Sequence, residues 1–229
     1  MKKTVLALTL ILALLLSAVA GTLFLSTTSA QSPEAVTIKA SGNVEGTDKI
    51  QRDGDVYLFT SGISGSIVVE RDNIVLDGAG HVLQPQSDTV VGVDIRDRNN
   101  VTIRNVAVTN FQTGINLENT AQSKLINNNI TTYTYEDGIK LTNSTNNIIS
   151  NNIIYSYANL YPIPFNRGIA LENCSKNTIS ENQVTGNFYG IYLNLSNNNT
   201  LSGNGITKSE FGIDLHLSSN NDLNRNNIQ

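Results

Sequence analysis

A 22-residue phrase that returns in register leaves few folds open to a chain. Residues 190–211 read GIYLNLSNNNTLSGNGITKSEF, and GIDLHLSSNNDLNRNNIQ follows at once from Gly212. The leading glycine recurs at Gly92, Gly114, Gly138, Gly168, Gly190 and Gly212, in steps of 22, 24, 30, 22 and 22 residues. Eleven residues after each glycine stands an apolar residue: Ile103, Leu125, Ile149, Ile179, Leu201 and Leu223. Three further on come Val106, Asn128, Asn152, Asn182, Asn204 and Asn226; two beyond those come Val108, Ile130, Ile154, Val184, Ile206 and Ile228. All variation in length therefore falls between the last column and the next glycine.

Each phrase opens Gly-apolar-x-apolar, as in Ile139/Leu141 or Ile191/Leu193, which turns two apolar side chains to one face of a short strand. No 3.6-residue period runs through the phrases. A unit this short cannot bury its own apolar face, so it must stack on its neighbours. The columns predict an all-β fold: a single-stranded right-handed parallel β-helix. They give it about seven coils of about 22 residues, with coils about 4.8 Å apart. The Asn column fits the turns, because Asn tolerates left-handed backbone and stacked amides bond from coil to coil. Asn147, Asn177, Asn199 and Asn221 suggest a second ladder.

The columns resemble the parallel β-helix repeats of the NosD-like family of exported prokaryotic proteins, which overlaps carbohydrate-binding proteins and sugar hydrolases. Residues 65–85, GSIVVERDNIVLDGAGHVLQP, are similar to the opening coil of surface members. The likeness spans about residues 55–229 and speaks to fold more than to activity. It implies that the outward face of the glycine-led strands is the working groove. It also leaves an accessory or purely structural repeat as one reading.

The N-terminus, MKK followed by an apolar run from Thr4 to Leu25, reads as an export signal. The segment 1–30 is expected to be a cleaved signal peptide or, through residues 4–25, a membrane anchor. Export predicts an extracellular, periplasmic or cell-surface address. Residues 31–65 are expected to form a tether and cap strands, and residues 66–229 the coils. The last coil stops at Gln229 with no capping sequence, so further coils or a partner chain are expected to cover it. The net charge of -4 and the lack of a basic stripe argue against nucleic acid as a partner. Six N-x-S/T sequons, at Asn100, Asn129, Asn143, Asn173, Asn194 and Asn198, are candidate glycosylation sites in a suitable host.

The variable segments 109–113, 131–137, 155–167, 185–189 and 207–211 fall on one long edge of the stack. They hold ten of the fourteen Phe and Tyr residues, which makes that edge the expected contact for sugar faces. Tyr133, Tyr135, Tyr155, Tyr157, Tyr161 and Phe165, with Lys140, are the candidate binding residues for a carbohydrate or surface polymer. Phe188, Tyr189 and Phe211 are expected to pack over the turn below them. Glu118 and Glu172 share an outward column two coils apart, about 9–10 Å at the backbone, near the upper limit for an inverting hydrolase pair. They are the candidate catalytic residues of an alternative reading, a polysaccharide hydrolase or lyase. Cys174, the only cysteine, stands in a column of Thr120, Ser144, Ser196 and Ser218 and reads as a small turn residue. His81 and His216 lie five coils apart, and no stacked aspartate set is present, so neither a metal nor a cofactor is expected.

Overall fold

The computed structural model describes residues 35–86, 90–132, 136–156 and 166–229. Their strands form three sheets, two of nine strands and one of eight. One coil shows the plan. The strand Asp137–Thr142 lies in the first sheet, Ile148–Ser150 in the second and Ile153–Ser156 in the third. The next coil re-enters the first sheet at Arg167–Glu172, in parallel register, with Ile139 opposite Ile169 and Leu141 opposite Leu171. Every strand pairing is parallel except two at the N-terminal end. This is the β-solenoid the columns demand.

Alternation puts the apolar columns inside. Ile139, Leu141, Ile149 and Ile154 are all fully buried, and so are their counterparts in the neighbouring coils. Each such side chain contributes about 1.5–3 kcal/mol by leaving water. On the last rung the same columns, Leu215, Leu223 and Ile228, are exposed.

The leading glycine is a steric requirement, not a turn device. A Cβ on Gly138 would stand 2.5 Å from Ile154 Cγ2 and 2.6 Å from the carbonyl oxygen of Gly168. Gly114, Gly168 and Gly190 meet the same wall from the next rung's glycine and an apolar side chain of their own coil. Backbone therefore packs on the core here without a side chain between.

The turns on either side of the second sheet hold a regularity that the columns only half disclose. The ladder Asn residues are not themselves left-handed. The residue just before each one is: Asn127 (φ 56), Asn151 (φ 56), Glu181 (φ 56) and Gly203 (φ 66) precede Asn128, Asn152, Asn182 and Asn204. Likewise Asn146, Lys176, Asn198 and Asn220 precede Asn147, Asn177, Asn199 and Asn221. The left-handed residue swings the chain, and the following amide is thereby aimed inward between rungs. Asn152 is fully buried. Its Oδ1 accepts from the backbone N–H and the side-chain amide of Asn128, at 2.9 and 3.0 Å. Its Nδ2 donates to Leu125 O and to Asn182 Oδ1, both at 2.9 Å.

A third ladder runs through Thr120, Ser144, Cys174 and Ser196, again one residue after a left-handed position. The Cys174 sulfur accepts from the Ser144 N–H at 3.4 Å, where a serine oxygen serves elsewhere. Burial pushes its thiol up to about 11, so it stays protonated. Leu195 and Leu217 occupy left-handed positions that hold Asp or Asn in the other coils. The N–H of Leu195 continues the ladder to His216 O at 3.1 Å, so rung pairing overrides the residue's own preference.

Before the seven coils stands an eighth rung, made by residues 36–64. Val36–Ile38, Val56–Phe59 and Ile63–Ser64 join the first, second and third sheets in turn. Antiparallel arms at Val44–Glu45 and Ile50–Asp53 border it. Tyr57 is fully buried there, and its hydroxyl donates to Gly42 O at 2.9 Å.

Candidate functional site

Among the described residues, the first sheet carries a connected set of paired charges, much of it on the sheet's outward face. Outward positions alternate with the buried Ile and Leu, so Asp94, Arg96, Asn116, Glu118, Lys140, Thr142, Glu172 and Tyr192 all rise from one surface. A cleft of about 270 Å³ opens on it, lined among others by Arg96, Glu118, Glu136, Lys140, Thr142 and Glu172. The sequence-derived pair Glu118 and Glu172 lies in that cleft, two rungs apart as the column requires, with Thr142 between them in register. Lys140 is there too.

Cations hold both glutamates. Arg96 meets Glu118 at 3.0 Å and Asp94 at 2.8 Å. Glu172 lies 2.9 Å from Arg167 and 3.6 Å from Lys140. Two residues that the column analysis passed over complete the network. Asp137 and Arg167 stand one position before their glycines and are lateral partners across adjacent rungs. Asp137 is fully buried, and the Arg167 guanidinium grips both of its oxygens, at 2.6 and 2.8 Å. Burial pushes the Asp137 carboxyl above its ordinary value, against the opposing pull of Arg167. Burial works against the Arg167 charge as well, but the Asp137 hydrogen bond and charge, with Glu172, outweigh it and raise its pKa. The signal for this pair was in the sequence. The column before the glycine reads Val91, Thr113, Asp137, Arg167, Tyr189, Phe211, and opposite charges on adjacent rungs of one column can meet.

Arg167 also reaches the next rung. Its guanidinium lies over the Tyr192 ring at 5.3 Å. From Tyr192 an aromatic cluster continues: Tyr189 packs on Tyr192 at 5.0 Å and stacks on Phe211 at 5.2 Å, and Phe188 meets Tyr189 and Phe211 edge-on. Phe188, Tyr189 and Phe211, expected to cover a turn, thus form a surface cluster in which Phe211 is 46% exposed. Burial pushes the Tyr192 phenol up, which keeps its hydroxyl available as a donor.

Of the remaining expected binding residues, only Tyr155 is among those described. Tyr155 lies in the third sheet between Thr131 and Thr185, and does not line the cleft. Tyr133, Tyr135, Tyr157, Tyr161 and Phe165, and residues 1–30, expected to be a signal peptide or anchor, lie outside the described residues. Among the described residues no group of three or more His, Cys, Asp or Glu is placed to hold a metal.

Comparison with known proteins agrees on the fold. The family described as "Right handed beta helix region" matches residues 69–228. No curated protein sequence matches the chain. Among solved structures, the periplasmic alginate epimerase AlgG is similar, with a TM-score of 0.50 and 15% identity over 71% of this chain and 47% of that one. A single-residue variant of the same epimerase gives 0.53 and 17% over 74% and 51%. The chain spans about half the length of these structures. Identity this low speaks to the fold alone.

Proposed function

Since the chain belongs to the right-handed β-helix family, we propose that it is an exported protein that binds a carbohydrate polymer along the outer face of its first sheet. The observation that carries the reading is the run from ionic cleft to aromatic cluster, joined by Arg167. Carboxylates and amides give sugar hydroxyls acceptors and donors. Flat rings beside them suit the C–H faces of a pyranose. Rungs about 4.8 Å apart repeat these groups along the solenoid axis, which suits an extended polymer.

Holding is favoured over turnover. A hydrolase of this geometry needs one carboxyl in a drier pocket to serve as acid. Glu118 and Glu172 are about one-third exposed, at 36% and 31%, and both are ion-paired. Asp137 is dry but wholly enclosed, so it touches no substrate. The two-rung spacing of Glu118 and Glu172 supports a second reading, hydrolysis. Cleavage of any panel polysaccharide that Glu172→Gln abolishes would establish it.

The test of binding is a glycan array probed with the intact chain and with Tyr189→Ala/Tyr192→Ala. Binding to a defined set of glycans that the double variant loses supports the proposal. An empty array, or a profile the variant leaves unchanged, refutes it.

A further inference from the structure

The charge arithmetic of the cleft points to the class of polymer it accepts. Two cations, Arg96 and Lys140, line it and Arg167 reaches it through Glu172; each is already engaged. Arg96 holds Asp94 and Glu118, Lys140 faces Glu172, and Arg167 holds Asp137 and Glu172. Three carboxylates line the cleft, Glu118, Glu136 and Glu172, while Asp94 and the enclosed Asp137 stand outside the lining, paired with Arg96 and Arg167. With all groups ionised the cleft lining carries one more negative charge than positive.

An acidic sugar would meet a negative field and would compete with a carboxylate for each of the three cations. A neutral sugar meets neither obstacle. Its hydroxyls can donate to Glu118, Glu136 and Glu172 while the cations stay where they are. Its ring can lie on Tyr192, whose neighbour Tyr189, itself stacked on Phe211, extends the aromatic surface. The whole chain, at -4, also repels polyanions.

We propose that the cleft selects neutral polysaccharides and rejects polyuronates. This rests on the carbohydrate-binding reading above, and the experiment separates the two. Affinity electrophoresis of the full chain is run in gels containing a neutral β-glucan, a neutral mannan, polygalacturonate or alginate, at low salt, with calcium added or chelated. Retardation by a neutral polymer, at least about tenfold stronger than by either polyuronate, is the expected result. Equal or stronger retardation by a polyuronate, with or without calcium, overturns the selectivity and leaves carbohydrate binding standing. No retardation in any gel overturns both.

A second arm inverts the charge. Glu118→Gln/Glu172→Gln frees Lys140 and leaves Arg96 and Arg167 with one carboxylate each, and Glu136→Gln removes one exposed carboxylate without touching an observed ion pair. The double variant is expected to gain polyuronate affinity by about tenfold, the scale of a close charge pair near a surface. The single variant should gain less. Failure of both to gain, with melting temperatures unchanged, would overturn the electrostatic basis.

Discussion

The turns beside the second sheet and the outer face of the first are both polar, yet they use their polar atoms in opposite ways. In the turns, every amide of the Asn128–Asn152–Asn182–Asn204 ladder bonds to the rungs above and below, and the side chains are buried. Nothing is left over for a ligand. On the first-sheet face the polar groups bond sideways to one another and stay partly exposed. Polar groups are thus fully engaged inside the stack in one place and left within reach of solvent in the other. Exposure, rather than polarity, separates the two.

The comparison can be broken most severely at the glycine column. Gly138→Ala puts a Cβ against the Gly168 carbonyl oxygen, and a loss of about 3 kcal/mol or more is expected in denaturant melts. A loss under about 1 kcal/mol would mean the rungs give way more easily than their spacing implies. Asn152→Ala strands the buried Asn128 N–H and Leu125 O. It should cost about 3 kcal/mol, at about 1–3 kcal/mol for each unsatisfied group, while glycan binding by the folded fraction is unchanged.

Arg167 lies between the two regimes, because it is mostly buried and also touches the site. Arg167→Met leaves Asp137 enclosed without a partner, for an expected cost of about 3–5 kcal/mol, and it should weaken glycan binding as well through Tyr192. Asp137 supplies a pH signature. Its pKa in the folded chain lies above the unfolded value, so its contribution is fully present below about pH 4 and declines as pH rises through the folded value. The stability of the native chain relative to Asp137→Asn should therefore fall with rising pH across that window, as read from paired urea melts. A difference that grows with pH would reverse the assignment.

The smallest effects sharpen the contrast. Cys174→Ser restores the residue found at Ser144 and Ser196 in the same ladder, and a change within about 1 kcal/mol is expected. The native thiol should resist alkylation until the chain unfolds, since burial keeps it protonated. Glu118→Gln removes a half-exposed pair with Arg96 and should shift stability by no more than about 1 kcal/mol.

The fold was legible because a solenoid writes its geometry once per coil. The apolar columns, the glycine spacing and the two Asn ladders could all be counted, and each has a steric or hydrogen-bonding cause visible in the rungs. The left-handed residue was misplaced by one, because Asn at consecutive positions, as in Asn127-Asn128 or Asn151-Asn152, conceals which member turns and which one bonds. The site was less legible. Glu118, Glu172 and Lys140 were named as candidates because they occupy outward columns of the glycine-led strands, and they line one cleft. Asp137 and Arg167 were missed because they sit where coil length varies and were grouped with the loops. The eighth rung was also hidden, since residues 36–64 are split by two antiparallel arms and repeat none of the columns.

The most direct measurement is a crystal structure of the chain with a neutral hexasaccharide bound. The account predicts a sugar chain running along the first sheet across successive rungs, with one ring over Tyr192 and hydroxyls on Glu118 and Glu172. Sugar seated on the second or third sheet, or on the Asn-laddered turns, would contradict it.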